Sequence, residues 1–119
     1  MADSIVLQKS IKFALRIVGL YKYLTEQKQE FILSKQVLLS GAYIAKHVKA
    51  ELHARGRDRF SADMFVAMQK ALETELWLLL LKEAEFISSD QYDSMNADCV
   101  ELIKLTSSIS KTSYENETA

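Results

Sequence analysis

The sequence predicts an all-α fold, an antiparallel up-down-up-down four-helix bundle, and three observations carry that expectation. There is no Pro in 119 residues. Apolar residues recur at i, i+3 and i+4 through four long segments, and no segment alternates with period two for long enough to make a strand. Breaks fall at the polar run Thr25 to Glu30, at Ala54 to Ser61 around Gly56, and at Ile87 to Asp90, where Ser88 and Gln91 have capping-box spacing. Four helices of about 22 to 26 residues follow, each roughly 33 to 39 Å long at 1.5 Å per residue. Connections this short force consecutive helices to run antiparallel. The length allows one compact domain, expected over 1–113; residues 114–119 carry no apolar repeat and are expected to fray.

On the first helix Leu7, Ile11, Ala14, Val18 and Tyr21 form one apolar row, and Phe13, Ile17, Leu20 and Leu24 form another beside it. At about 100° per residue the two merge into an arc covering roughly half the cylinder. Lys9, Lys12 and Arg16 fall opposite, a basic stripe that reads as a solvated face or as a contact for a polyanion.

The second helix, about Glu30 to Ala54, has two apolar sides. Val37, Leu38, Gly41, Ile44, Ala45, Val48 and Leu52 make the expected core stripe, while Ile32, Leu39, Tyr43 and Ala50 lie nearly opposite. Lys35, Lys46, Lys49 and His53 occupy the strip between. Ser40, Gly41 and Ala42 are small enough to admit another helix closely.

The third helix repeats the pattern. Met64, Phe65, Met68, Leu72, Leu76, Leu79 and Phe86 are expected on the core face, and Val66, Trp77, Leu80, Leu81 and Ala84 on another side. A helix apolar all round is buried all round, and monomers rarely leave a large contiguous apolar patch wet. The expected assembly is therefore a homo-oligomer, with Ile32, Leu39, Tyr43, Ala50, Val66, Trp77, Leu80 and Leu81 at its interface. Trp77 would anchor that contact, or else turn into the bundle's own core. Glu75 falls in the row 68, 72, 75, 79, where a carboxylate needs a partner; Lys35 is a candidate. The fourth helix has one clean seam, Tyr92, Met95, Cys99, Leu102, Thr106, Ile109 and Ser113, and is polar elsewhere.

Composition narrows the function classes. The longest run without a charge, Gln36 to Ala45, is far below the roughly 18 apolar residues of a membrane span. One cysteine closes no internal disulfide, and the first residues lead into a segment broken by Lys9, Lys12 and Arg16, unlike a signal peptide. A cytoplasmic, soluble protein with no membrane partner is expected. Catalytic chemistry is missing: His47 and His53 are six apart, no Glu-x-x-His or HExxH pair occurs, and no Gly-rich phosphate loop or Asp-rich calcium loop is present. Ser34 and Ser40 have no histidine one turn away, and Cys99 on a core seam reads as a small hydrophobe. No enzyme, metal, cofactor or small-molecule substrate is expected.

Charge is unevenly spread. Residues 1–59 hold 11 Lys+Arg and 5 Asp+Glu, net +6, whereas residues 60–119 hold 4 and 11, net −7. The basic half can attract a polyanion, or the halves can neutralise each other within one fold.

Four stretches resemble the bacterial 23S rRNA intervening-sequence protein family: Phe13-Ala-Leu-Arg-Ile-Val-Gly-Leu-Tyr-Lys-Tyr-Leu, Leu33-Ser-Lys-Gln-Val-Leu followed by Ser40-Gly41 and Ile44, Lys70-Ala-Leu-Glu-Thr-Glu-Leu-Trp-Leu, and Glu101-Leu-Ile-Lys-Leu-Thr-Ser. Their order and spacing span all four helices. The resemblance implies a left-handed antiparallel bundle that assembles into a homopentamer, encoded in some bacteria within an insertion in the large-subunit rRNA gene. It also implies kinship with the pentameric accessory protein of diversity-generating retroelements, which binds nucleic acid through a basic surface. The chain departs from the family where Leu39 stands in place of Arg before Ser-Gly and where 44–50 replaces a Gly-Ala-Asn-Ile-Ala-Glu-like run. It retains Glu73, Thr74, Glu75 and Trp77 of the Glu-Thr-Glu-x-Trp element.

Two functions stay open. One is a nucleic-acid-associated oligomer that grips RNA or DNA phosphates without reading sequence, through Lys9, Lys12, Arg16, Lys46, Lys49, Arg55, Arg57 and Arg59. The other is a protein-interaction scaffold that binds no nucleic acid.

Overall fold

Helix α1 spans Ala2–Glu26, α2 Leu33–Ala54, α3 Asp63–Glu83 and α4 Ser89–Thr118, and no strand occurs among the described residues. The computed structural model describes residues 2–54 and 62–118, with side chains over 5–53 and 62–112. Each visible turn has a chemical cause. Between α1 and α2, Gln29 takes a φ of 56° and reverses the chain. The Glu30 carboxylate then accepts the backbone N–H groups of Leu33 at 2.9 Å, Ser34 at 2.7 Å and Ile32 at 3.2 Å, three of the donors a helix start leaves unpaired. Partial burial works to raise the pKa of Glu30, but these hydrogen bonds outweigh it and hold the carboxyl below its ordinary 4.5.

Between α3 and α4 the chain closes a Schellman motif. Phe86 N–H donates to Leu81 O and Glu85 N–H to Lys82 O, both at 2.9 Å, with Glu85 at a φ of 67° where glycine is commoner. The capping box read from Ser88 and Gln91 forms two residues later. Ser88 N–H donates to Gln91 Oε1 at 2.7 Å and Gln91 N–H to Ser88 Oγ at 3.1 Å. Helical backbone in α4 continues through Thr118.

Side-chain contacts fix the helix directions. Along α1 and α4, Lys9 pairs with Glu101 and Arg16 with Asp98, so one number rises as the other falls. Ser40 meets Thr74 and His47 meets Asp63 in the same reversed order, and Ala71 meets Cys99 while Lys82 meets Tyr92. Neighbouring helices in these pairs run antiparallel in a bundle about 49 × 23 × 19 Å.

The core is a set of four seams stepping by three and four. α1 contributes Val6, Phe13, Ile17, Leu20 and Leu24; α2 contributes Val37, Gly41, Ile44 and Val48; α4 contributes Met95, Cys99, Leu102 and Thr106. In α3 the buried seam is Met64, Ala67, Ala71, Thr74, Leu78 and Leu81. This corrects the sequence expectation, because Phe65, Leu72, Leu76 and Leu79 face outward, Met68 and Phe86 are only half-buried, and Leu81, expected outside, is fully buried. When apolar residues surround a helix, periodicity no longer selects the inner row, and size decides. The Thr74 and Ser40 hydroxyls lie 2.8 Å apart, and the Cys99 thiol donates to Ala71 O at 3.2 Å. A leucine row turned inward would hold both neighbouring helices away.

Close approach also explains Gly41, where a Cβ would stand 2.8 Å from Ile17 Cγ1. Ile11, expected within the buried arc of α1, is exposed, whereas the row Phe13, Ile17, Leu20 and Leu24 is buried. Glu75 is half-buried at the α3–α4 edge and not in a core row, so it does not need Lys35, which is exposed. Its charge instead helps to raise the pKa of Cys99 and Tyr92.

Candidate nucleic-acid interface and apolar faces

The basic stripe of α1 is largely spent on α4. Lys9 Nζ lies 3.1 Å from Glu101, and Arg16 Nη1 donates to Asp98 Oδ2 at 2.6 Å while Nη2 donates to Ser94 Oγ at 2.7 Å. Lys12 is exposed beside them and lines a small cleft with Asp98 and Glu101. Along this seam the basic front half of the chain meets the acidic back half. On α2, Lys46 and Lys49 are exposed, and Lys46 Nζ sits 4.6 Å over the Tyr43 ring. Arg55, Arg57 and Arg59 lie outside the described residues. His47, between the two lysines, lies with Nδ1 2.9 Å from Asp63 Oδ1 and ties the end of α2 to the start of α3.

The apolar candidates come together in part. Leu39 and Tyr43 are exposed on α2 and Leu80 on α3, with Ala50, Val66 and Trp77 half-buried. Lys70 of α3 reaches 5.9 Å from the Tyr43 ring, which joins the outward sides of α2 and α3. Trp77 packs against the edge of the core. Ile32 is 75% exposed but sits in the turn before α2, next to exposed Phe31. Leu81 does not belong to this surface, since its side chain is wholly inside the bundle.

Sequence reasoning missed several outward residues. Phe65, Leu72, Leu76 and Leu79, expected on the core face, are 38–50% exposed on α3, and Leu15 is 67% exposed on α1. The available signal was a second row, Phe65, Leu72 and Leu79, at the same spacing as Met64, Ala71 and Leu78 and one residue along. Sequence reasoning also missed Glu51, which is 2% exposed and whose Oε1 has no hydrogen-bond partner among the described residues.

Little here resembles a reaction centre. The buried Cys99 thiol has its pKa pushed up to about 12, by burial first and then by the charges of Glu75 and Asp98, so it is no nucleophile near neutral pH. Among the described residues no group of three or more His, Cys, Asp or Glu could hold a metal ion, and no helix is long and apolar enough to cross a membrane. An open cleft of about 550 Å³ lies where α1 ends and α3 turns into α4, and Lys28 and Lys82 in its wall are accompanied by Glu83 and Glu85. Opposite charges side by side there give no converging field.

The fold has relatives. A crystal structure of a protein with unknown function from the S23 ribosomal protein family of Bacteroides thetaiotaomicron VPI-5482 superposes with a TM-score of 0.88 at 43% sequence identity, covering 93% of this chain and 99% of that one. No curated protein matches the chain. The family model of the 23S rRNA-intervening sequence protein matches residues 2–108, a span that includes all of α1, α2 and α3 and most of α4. With nearly the whole chain matched, and with the resemblance first seen in its four helices, this protein belongs to the 23S rRNA-intervening sequence protein family.

Proposed function

We propose that the protein works as a homo-oligomer that associates with nucleic acid through phosphate contacts. The observation that carries the oligomer is the outward side of α3, where Phe65, Leu72, Leu76, Leu79 and Leu80 stand half-exposed along one helix. A single bundle has no further helix to cover them, and a second copy does. Five copies is the number that the family resemblance implies. The nucleic-acid contact set narrows to Lys12, Lys46, Lys49 and the arginines Arg55, Arg57 and Arg59, because Lys9 and Arg16 already answer Glu101 and Asp98. Such contacts are electrostatic and indifferent to base sequence.

Retardation of a single-stranded RNA and of duplex DNA across a salt series tests this reading. Affinity should fall steeply with salt, and the paired substitution Lys46→Ala with Lys49→Ala should lower the log–log slope by about 1–2, at roughly 0.7–0.9 per phosphate contact. Lys9→Ala should leave the slope nearly unchanged. No salt-sensitive retardation at moderate ionic strength removes the nucleic-acid reading. The neutralised α1 stripe favours the second reading, a scaffold for another protein. A partner retained after nuclease treatment would support it.

A further inference from the structure

Between α3 and α4 lies a polar cluster that the fold leaves incomplete. Ala71, Glu75, Leu78 and Lys82 step by four, three and four along the stripe of α3 that faces α4, and Tyr92, Asn96 and Cys99 step by four and three along the stripe of α4 that faces back. The contacts of Ala71 with Cys99 and of Lys82 with Tyr92 fix the register, so Glu75 and Asn96, each in the middle of its stripe, stand opposite each other. The Glu75 charge is felt at both ends of the facing stripe, where it adds to burial in raising the pKa of Tyr92 and of Cys99. Yet the half-buried Glu75 carboxylate makes no hydrogen bond or ion pair with any described residue, and Asn96 Oδ1 is buried without a partner. The cations nearby are engaged: Lys70 holds Glu73 at 3.0 Å, and Lys82 lies over the Tyr92 ring. Exposed Leu72 and Leu79 flank Glu75 along α3. Whatever covers these leucines takes Glu75 out of water, and a carboxylate buried without a counter-charge is costly.

We infer that Glu75 and Asn96 form a receptor for one cationic N–H donor, a guanidinium or ammonium group. Two acceptors on facing helices, with no donor of their own, call for a group that donates to both. The planar guanidinium carries five N–H bonds in a fixed fork and does this best. Charge-assisted hydrogen bonds to Glu75 supply the attraction, and the Asn96 carbonyl supplies the direction. Leu72 and Leu79 beside the site suit the apolar neighbours of an arginine or lysine on a protein surface; a free cation of the same chemistry is the other source.

Titration of isotope-labelled protein with methylguanidinium chloride, followed by NMR at the Asn96 side-chain amide and compared with sodium chloride at equal ionic strength, tests this. The wild type and Leu76→Ala, whose assembly should be weakened, are titrated side by side. A saturable shift in both means that a free cation reaches the site, and a shift in Leu76→Ala alone means that a protein side chain holds the site in the assembly. Glu75→Gln should weaken binding by about tenfold or more, the loss of one charge-assisted hydrogen bond. Asn96→Ala, followed at the Tyr92 ring, leaves the charge in place and should weaken it less. Neutral methylurea, of the same shape, should not bind. The inference is overturned if the amide stays still in both proteins, as it would were Asn96 simply turned to give its N–H groups to Glu75. It is equally overturned if methylurea binds as methylguanidinium does, or if Glu75→Gln responds like the wild type. Light scattering measures the assembly separately, so a wild type that is a single subunit removes the oligomer reading and leaves the titration to decide the cation site.

Discussion

Helices α3 and α4 lie side by side and are built inside out with respect to each other. α4 turns Met95, Cys99, Leu102 and Thr106 inward and shows solvent Asp93, Lys104, Ser107 and Lys111. α3 turns Ala67, Ala71 and Thr74 inward and shows Phe65, Leu72, Leu76 and Leu79. The amount of apolar surface on a helix thus says little about which side is the bundle core. The sharpest way to break this contrast is to truncate one leucine on each helix. Leu102→Ala should cost about 2–5 kcal/mol in urea unfolding, since its side chain is fully enclosed. Leu76→Ala, half-exposed, should change the isolated subunit by no more than about 0.5 kcal/mol. It should instead reduce the assembly seen by light scattering. Equal costs in unfolding would mean that the outward row of α3 belongs to the core after all.

The small inner residues of α3 and α2 set a tighter spacing than the α1–α4 side has, and glycines on either side expose the difference. Gly41→Ala places a Cβ 2.8 Å from Ile17 Cγ1, inside a β-branched side chain that has little freedom to move, and should destabilise by about 1–3 kcal/mol. Gly19→Ala, where nothing lies within 4 Å, should stabilise by about 0.5–1 kcal/mol through helix propensity alone. Thermal unfolding of the two variants checks both signs. A stable Gly41→Ala would show that α1 and α2 can separate, and the account of small residues inside would lose its reason.

This contrast also marks how far the sequence could be read. The seam of α4 was legible because most residues around it are polar, Val100, Ile103 and Leu105 excepted, so one phase of Met95, Cys99 and Leu102 fits best. The capping box at Ser88 and Gln91 was legible because it depends on two residues three apart. The phase of α3 was not legible. Its apolar rows are equivalent in pattern, and the choice between them is made by Ser40, which meets Thr74, and by Cys99, whose thiol donates to the Ala71 carbonyl, both contacts distant in sequence. The basic stripe on α1 was legible as a stripe. Its partners Asp98 and Glu101 lie more than 80 residues away, so whether it is free or paired could be learned only from the fold. Glu30 stands out in the sequence only as part of a polar break, although its carboxylate organises the start of α2.

The smallest effect expected is on that α1–α4 seam, and it bears most directly on function. Lys9 and Glu101 are about half-exposed, at 42% and 50%, so a double-mutant cycle between Lys9→Ala and Glu101→Ala should give a coupling of only about 0.2–1 kcal/mol. Raising the salt should diminish it, because exposed charges are screened over roughly 10 Å at 0.1 M. Arg16 should couple to Asp98 somewhat more strongly, since it also donates to the Ser94 hydroxyl and is less exposed. Measurable coupling means that the polar outside of α4 has a task, holding α1 in place and masking its positive charge. A coupling of zero even at low salt would release Lys9 to meet phosphate, and Lys9→Ala would then lower the salt slope of nucleic-acid binding alongside the lysines of α2.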